Sequence, residues 1–372
     1  MGAGAAGATD AVAPSLLVAP QWIGDAVMAQ PLVALLAARG ERVTALALAS
    51  VAPVLRAMPG IERVLETPFA HGRLDLDARR ALARELRGAG FARAYVLGNN
   101  LKSRLVPWLA RIPLRVGWRG EAAGALLTHA LREPPAPHHG QLRGGQRGDM
   151  RAHYAALAQE LSAPVLGAQQ TARLPGELPQ PVLRVDDARA REVAAGLGLP
   201  AGFVALCPGA EYGPAKQWPA EHFAELAGLA LAEGRPVAIV GSARERAFAQ
   251  AILDGLRAGR KLDGTRAGPP LMDLCGRTSM EQAVDLLAVA AGVVSNDSGL
   301  MHVAAALGRP TVGLYGSTDP RHTPPAAHRS ATLWLHLPCS PCFQRDCPLG
   351  HLNCLRALDP QWAWSVLRDL MD

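Results

Sequence analysis

Short apolar segments of strand character alternate with amphipathic helical segments along most of the chain, and this alternation constrains the fold more than any other feature. A strand pattern at 16–19 precedes a helix pattern at 26–39. The same order restarts at 203–207 and is followed by a helix pattern at 220–232. Strands separated by helices indicate a parallel sheet with crossover helices. The pattern therefore predicts an α/β protein with two doubly wound units.

The length of the chain agrees with two units. It has 372 residues, and one domain usually takes roughly 100–200. We expect a disordered tail at 1–14, one domain at 15–185, a second at 186–358 and a final helix at 359–372. Ligands of doubly wound sheets bind beyond the carboxyl ends of the strands. Two such domains predict a binding cleft between them.

The formal net charge is +6, from 38 basic and 32 acidic residues. This charge suits an anionic partner, although an arginine-rich composition explains it equally well. The basic segment 143–147 has no aromatic residues on which bases could stack, so we expect no nucleic acid partner. No uninterrupted apolar stretch is long enough to cross a bilayer, so we also expect no transmembrane segment.

The first segment with chemical potential is Trp22-Ile23-Gly24-Asp25, between the first strand and the first helix. A carboxylate at this place can take a proton from a substrate hydroxyl as a general base. Asp also serves routinely as a helix N-cap, so both roles remain open for Asp25.

The second segment runs from Cys207 to Pro219 and contains Lys216, one of only three lysines in the chain. Gly209 and Gly213 allow the loop to turn its amides towards a ligand. Loop amides, a helix N-terminus and a lysine together predict an anion site suited to a diphosphate. An ordinary strand–helix connection is the alternative.

The third segment, Asn296-Asp297-Ser298-Gly299, follows a buried strand and opens a small apolar helix. Ser298 or Asp297 could cap this helix, whose free amides would then point at an anion. His302 would lie one turn further along, on the face of Ser298. A capped structural helix is the alternative.

Four cysteines, at 339, 342, 347 and 354, lie close together in the C-terminal part of the chain. Four thiolates can hold zinc or iron in a closed structural site. Reduced cysteines that pack a loop are the other interpretation, and the spacing matches common zinc patterns only loosely.

Several segments taken together resemble the ADP-heptose:lipopolysaccharide heptosyltransferases, from about Leu16 to the C-terminus. The resemblance lies in residues 20–31, 100–103, 115–120, 207–219, 296–306 and 339–354. It implies the GT-B architecture, in which two Rossmann-like domains face a central cleft. It also implies inverting transfer of L-glycero-D-manno-heptose from ADP-heptose to heptosyl-Kdo2–lipid A, without a cofactor or a metal.

The resemblance also implies roles for single residues. Asp25 matches the proposed catalytic base and Lys216 the phosphate-binding lysine. The residues expected to bind the donor are Gly209, Lys216, Asn296, Asp297, Ser298, Gly299 and His302. The residues expected to bind the acceptor are Trp22, Gly24, Asn100, Lys102 and Arg119. The enzyme would be cytoplasmic, at the inner leaflet of the inner membrane, and its partners would be the nucleotide sugar and the lipid A-linked acceptor.

Three other functions remain open at this point. The chain could add another core heptose, although the cysteines and the segment 213–216 favour the second-heptose enzyme by resemblance. It could be a nucleotide-sugar epimerase of the same fold, which would act on the donor alone. It could also be a basic nucleotide-binding protein without catalysis, which would not need Asp25 opposite Lys216. The tail and a loop at 138–148 look like additions to the family pattern.

Overall fold

The computed structural model describes residues 14–69, 74–120, 123–132, 148–159, 169–173, 177–259 and 269–372. Almost all of the tail expected at 1–14 and of the loop expected at 138–148 lies outside these ranges. The described residues form two parallel sheets with helices on their faces.

The first sheet has seven strands, which pair in parallel. They are β1 (Ser15–Val18), β2 (Val43–Ala47), β3 (Ile61–Glu66), β4 (Arg93–Val96), β5 (Leu114–Trp118), β6 (His129–Arg132) and β7 (Gln169–Thr171). Their spatial order is β3-β2-β1-β4-β5-β6-β7. The accompanying helices are α1 (Ile23–Met28), α2 (Gln30–Ala38), α3 (Ala52–Arg56), α4 (Leu76–Gly88), α5 (Leu101–Leu109) and α6 (Met150–Ala155).

The second sheet has six parallel strands in the order β10-β9-β8-β11-β12-β13. The strands are β8 (Val204–Cys207), β9 (Val237–Ile239), β10 (Leu271–Asp273), β11 (Gly292–Asn296), β12 (Thr311–Leu314) and β13 (Ser330–Leu333). The helices are α7 (Asp187–Gly196), α8 (Ala220–Ala232), α9 (Arg246–Gly259), α10 (Met280–Val289), α11 (Gly299–Ala306), α12 (Asn353–Arg356) and α13 (Pro360–Met371). Short 3-10 turns add Ala123–Leu126, Ala156–Ala158, Pro214–Lys216 and Ala243–Glu245.

The first helical segment differs from the sequence prediction of one helix at 26–39. Two helices replace it. Pro31 lies in the first turn of α2, and the helical hydrogen bonding is interrupted at Ala29, between α1 and α2. A proline has no amide hydrogen, and its ring clashes with the preceding turn of a continuous helix. The first helix also begins earlier than predicted, at Ile23, so Asp25 lies inside its first turn.

The two units share the largest cluster of the hydrophobic core. This cluster combines residues of the first unit, such as Val27 and Leu32, with residues of the second, such as Val284 and Val303. Two smaller clusters each belong to one unit. The shared cluster packs α1 against α11, and this contact positions the two halves of the site.

Candidate active site

In each sheet, the candidate site residues follow the two strands between which the strand order reverses. In the first sheet the order reverses between β1 and β4, and Asp25 and Asn100 follow these two strands. In the second sheet it reverses between β8 and β11, and Lys216 and Asp297 follow those. Such switch points are where doubly wound sheets bind ligands.

Asp25 is half-buried in the first turn of α1. The N-cap position of this helix belongs to Trp22, so the competing interpretation of Asp25 as the N-cap is wrong. Burial raises the pKa of Asp25 to about 6, and the Asp297 carboxylate adds to this while Lys216 opposes it. Asp25 therefore faces charges that come from the second sheet, and it is a stronger base than an ordinary carboxylate.

Lys216 is held by an ion pair within the second unit. Its Nζ lies 2.6 Å from Oδ2 of Asp297, and the two side chains are 15% and 4% exposed. Thr318 Oγ1 donates a hydrogen bond of 2.5 Å to the same oxygen. The Tyr212 ring lies 5.1 Å from Nζ. The pair holds a compact cation within electrostatic reach of Asp25.

His302 is buried beside the same carboxylate. Its Nε2 lies 3.9 Å from Oδ1 of Asp297. Burial lowers the pKa of His302 to about 4, more than Asp297 raises it, and Lys216 lowers it further. The imidazole is therefore neutral near pH 7, and Lys216 supplies the positive charge at this position.

Asn296 connects the lysine loop to the second sheet. Its Oδ1 accepts a hydrogen bond of 3.1 Å from the Trp218 amide, and its Nδ2 donates one of 2.8 Å to the Pro208 carbonyl. Both ends of the side-chain amide are thus bonded to the segment that carries Gly209 and Lys216. This geometry gives Asn296 a positioning role for the loop.

The expectation that Ser298 or Asp297 caps α11 is wrong. Ser298 occupies the N-cap position, but its side chain makes no capping hydrogen bond. Its Oγ lies 3.1 Å from Oγ of Ser295 instead. The Asp297 carboxylate bonds to Lys216 and Thr318. The amides that open α11 therefore have no side-chain cap.

The residues expected at the acceptor side are spread along the first unit. Trp22 is 53% exposed beside Gly24 at the start of α1. Asn100 caps α5 by accepting a hydrogen bond of 3.0 Å from the Ser103 amide. Lys102 lies in the first turn of α5, and Arg119 is exposed just beyond β5.

Three further polar residues around Asp25 and Asp297 escaped the sequence analysis. Burial raises the pKa of Tyr154 in α6, and the Asp25 carboxylate adds to this effect. Thr318 bonds to Asp297, and Ser317 Oγ is buried without a hydrogen-bond partner among the described residues. The segment Ser317–Thr318 follows β12, so its polar character after a buried strand could have revealed it. Tyr154 carries no comparable sequence signal.

The four clustered cysteines are free thiols. Burial raises the pKa of Cys354 to about 11, and the other three thiols add to this effect. Within the part of the chain that the structure describes, no three His, Cys, Asp or Glu side chains are grouped to hold a metal ion. Both interpretations of the cluster stay predictions.

Solved structures resemble the whole chain. The match to the structure of E. coli ADP-heptose LPS heptosyltransferase II covers 96% of this chain and 98% of that chain, with a TM-score of 0.78 and 34% identity. The E. coli heptosyltransferase WaaC with ADP shares the fold, with a TM-score of 0.64 and 20% identity over 96% of this chain and 99% of that chain. The fold and the family match define a glycosyltransferase of the GT-B class.

Sequence comparison gives the same class in finer detail. Lipopolysaccharide heptosyltransferase 2 of Salmonella typhimurium is 36% identical over 363 residues, which span 96% of this chain and 98% of that protein. Lipooligosaccharide heptosyltransferase 2 of Haemophilus influenzae is 32% identical over 86% of this chain and 88% of its own. The family model of glycosyltransferase family 9 (heptosyltransferase) matches residues 79–353. The chain belongs to this family.

Proposed function

We propose that this protein transfers L-glycero-D-manno-heptose from ADP-heptose to heptosyl-Kdo2–lipid A, with inversion at the anomeric carbon. The similarity to heptosyltransferases 2 over nearly the full chain supports this substrate pair. The observation that carries the chemistry is the electrostatic coupling of Asp25 in one unit with Lys216 and Asp297 in the other. A binding protein without catalysis would not need a raised-pKa carboxylate at this place.

Asp25 acts as the general base in this proposal. The acceptor hydroxyl oxygen attacks the anomeric carbon of heptose and gives its proton to the Asp25 carboxylate. The bond between that carbon and the diphosphate oxygen breaks, and ADP leaves with the bonding electrons. A base whose pKa lies near the working pH suits this proton transfer.

Lys216 stabilises the negative charge that grows on the leaving ADP. A compact ammonium suits a phosphate oxygen. The uncapped amides at the start of α11 add hydrogen-bond donors with partial positive charge, which also favour an anion. Such pre-positioned charge is worth more in a cleft from which water is excluded. Asp297 and Thr318 hold the ammonium in place, and Asn296 holds the loop.

The two halves divide the substrates between them. We propose that the unit at 15–185 binds the acceptor and that the unit at 186–358 binds the nucleotide sugar. Trp22, Gly24, Asn100, Lys102 and Arg119 are the proposed acceptor contacts. The proposed donor contacts are Gly209, Lys216, Asn296, Asp297, Ser298, Gly299 and His302, of which His302 lies beside the Lys216–Asp297 pair.

ADP release from ADP-heptose tests the proposal. It is measured with purified heptosyl-Kdo2–lipid A, with Kdo2–lipid A that lacks heptose, and with donor alone. We expect release only with the heptosylated acceptor, together with a product one heptose heavier. Preference for the heptose-free acceptor would assign the first-heptose reaction instead. An altered donor sugar in the absence of acceptor would assign an epimerase.

A further inference from the structure

The outward side of α5 is apolar although it faces solvent. Leu101, Leu105 and Trp108 are spaced so that they share one helix face. Leu101 is 47% and Trp108 45% exposed, and Leu105 is partly buried between them. The opposite side of α5 packs into the protein through Val106 and Pro107, and the buried Arg104 lies at the edge of the apolar stripe. This apolar stripe is therefore no part of the core.

A stripe of arginines runs along the neighbouring helix. Arg80, Arg84 and Arg87 have the same spacing on α4, and all three are exposed. The buried residues Leu82 and Leu86 of that helix face the sheet. Asp77 lies 3.2 Å from Arg80 and offsets part of its charge. The stripe remains positive as a whole.

Two hydrogen bonds fix α4 and α5 side by side. Arg79 Nη1 donates one of 2.8 Å to the Lys102 carbonyl, and Arg87 Nη2 donates one of 2.7 Å to the Leu109 carbonyl. The bonds join the beginnings and the ends of the two helices, so the helices run in the same direction. The arginine stripe thus lies alongside the apolar stripe. We name the six residues Arg80, Arg84, Arg87, Leu101, Leu105 and Trp108 the α4–α5 face.

The α4–α5 face adjoins the proposed acceptor contacts. Helix α5 begins beyond the carboxyl end of β4, where Asn100 and Lys102 are proposed acceptor contacts.

None of the helices in the part of the chain covered by the structure is long and apolar enough to cross a membrane. An enzyme whose acceptor carries a lipid anchor must reach that acceptor from the bilayer surface.

We infer that the α4–α5 face docks on the surface of an anionic phospholipid bilayer. This inference rests on the proposed function, because the lipid-linked acceptor places the bilayer beside the cleft. Trp and Leu enter the boundary between headgroups and acyl chains, and arginines bind the phosphates. A second copy of the chain would bring two arginine stripes into one interface, which like charges disfavour.

Vesicle co-sedimentation of the full chain tests the docking. Vesicles of phosphatidylethanolamine and phosphatidylglycerol are compared with vesicles of phosphatidylcholine, at low and high salt. We expect binding to the anionic vesicles, weakened by salt. Leu101→Ser with Trp108→Ser should weaken it about tenfold, and Arg84→Gln alone about fivefold.

Matched variants in the second unit serve as controls. Trp362 in α13 is 42% exposed, and the Arg257 side chain in α9 is 64% exposed. Trp362→Ser and Arg257→Gln should bind the vesicles as the parent does. Arg84→Gln keeps the test decisive if the double variant does not fold, because it changes only an exposed side chain.

Several results would overturn the docking. These are equal binding of the parent to both kinds of vesicle, equal loss in the control variants, or a double variant that turns a dimer into a monomer while its vesicle binding is unchanged. The last result would assign the face to a second copy. The vesicles contain neither donor nor acceptor, so their binding is measured independently of heptosyl transfer. Failure of the transfer assay with retained binding would therefore count against the proposed function alone.

Discussion

Gly24 lies directly against His302, although the two residues belong to different sheets. A Cβ at residue 24 would stand 2.9 Å from Cδ2 of the His302 ring, and a Cβ at Gly299 would stand 2.8 Å from the Cβ of Ile23. A glycine on each of the crossing helices α1 and α11 lets their backbones approach closely. This contact brings Asp25 within electrostatic reach of Lys216 and Asp297.

Gly299→Ala should separate the two helices. The added methyl meets the branched Cβ of Ile23, which cannot rotate away, so the backbone must shift. We expect a loss of about 1–3 kcal/mol in the free energy of unfolding, and a fall of about tenfold or more in kcat. Thermal unfolding and initial rates with saturating ADP-heptose measure the two effects.

Gly196→Ala is the matched control for that substitution. A Cβ at Gly196, at the end of α7, meets no atom within 4 Å. This variant should keep full activity and gain up to about 1 kcal/mol of stability, because alanine restricts the unfolded chain. Unchanged kcat in Gly299→Ala would show that the close approach of the helices does not set the geometry of the site.

Asp25→Asn should separate catalysis from donor binding. The amide cannot take the acceptor proton, so we expect kcat to fall about 10²–10⁴-fold. The dissociation constant for ADP-heptose should change little, because the donor contacts lie in the second unit. Rapid-quench rates and calorimetric titration with ADP-heptose measure the two quantities. A variant with parental kcat would remove Asp25 from the role of base.

The raised pKa of Asp25 predicts a pH dependence of both activity and stability. The base works only when ionised, so kcat/KM should fall as the pH drops below about 6. The folded-state pKa lies above the unfolded value of 3.8, so ionisation of Asp25 costs folding free energy. This cost is absent below the unfolded pKa, grows as the pH rises towards 6 and is complete above it.

Asp25→Asn removes that cost. The variant should unfold at a higher temperature than the parent at pH 7, with a gain of up to about 3 kcal/mol. The difference should shrink as the pH falls from 6 towards 4. A difference in melting temperature that is the same at pH 7 and pH 4 would contradict the raised pKa.

Lys216→Ala should weaken both donor binding and the rate. The substitution removes the cation next to the proposed diphosphate position and leaves the buried Asp297 carboxylate with the Thr318 hydroxyl and the neutral His302 ring beside it. Breaking a buried pair from one side costs roughly 3 kcal/mol of stability. We expect ADP-heptose to bind at least about tenfold more weakly, since a charged hydrogen bond contributes more than one kcal/mol.

A double variant distinguishes the two effects of Lys216. Lys216→Met with Asp297→Asn removes both charges, so the melting temperature should return towards that of the parent. Donor affinity should stay low, because the phosphate-binding cation is still missing. Recovery of affinity together with stability would show that Lys216 acts only through the fold.

The sequence predicted the central strands well, for a physical reason. Strands β1, β8 and β11 are buried on both faces, so each appears in the sequence as a short apolar segment. Polar residues are easy to recognise where these segments end. Edge strand β3 was not predicted. Three of its six residues are exposed and three are partly buried, and charged side chains interrupt the apolar pattern.

The alternation of strand and helix segments thus determined the two α/β units. The motifs between them determined the family resemblance and the residue types available for chemistry. Only the tertiary structure decided how those residues are used. Asp297 could have been a helix cap, but the fold places Lys216 and Thr318 around its carboxylate. Asp25 could have been an ordinary solvated acid, but burial between the units raises its pKa. Local sequence sets propensity and pattern, whereas burial and charge pairing depend on residues that are distant along the chain.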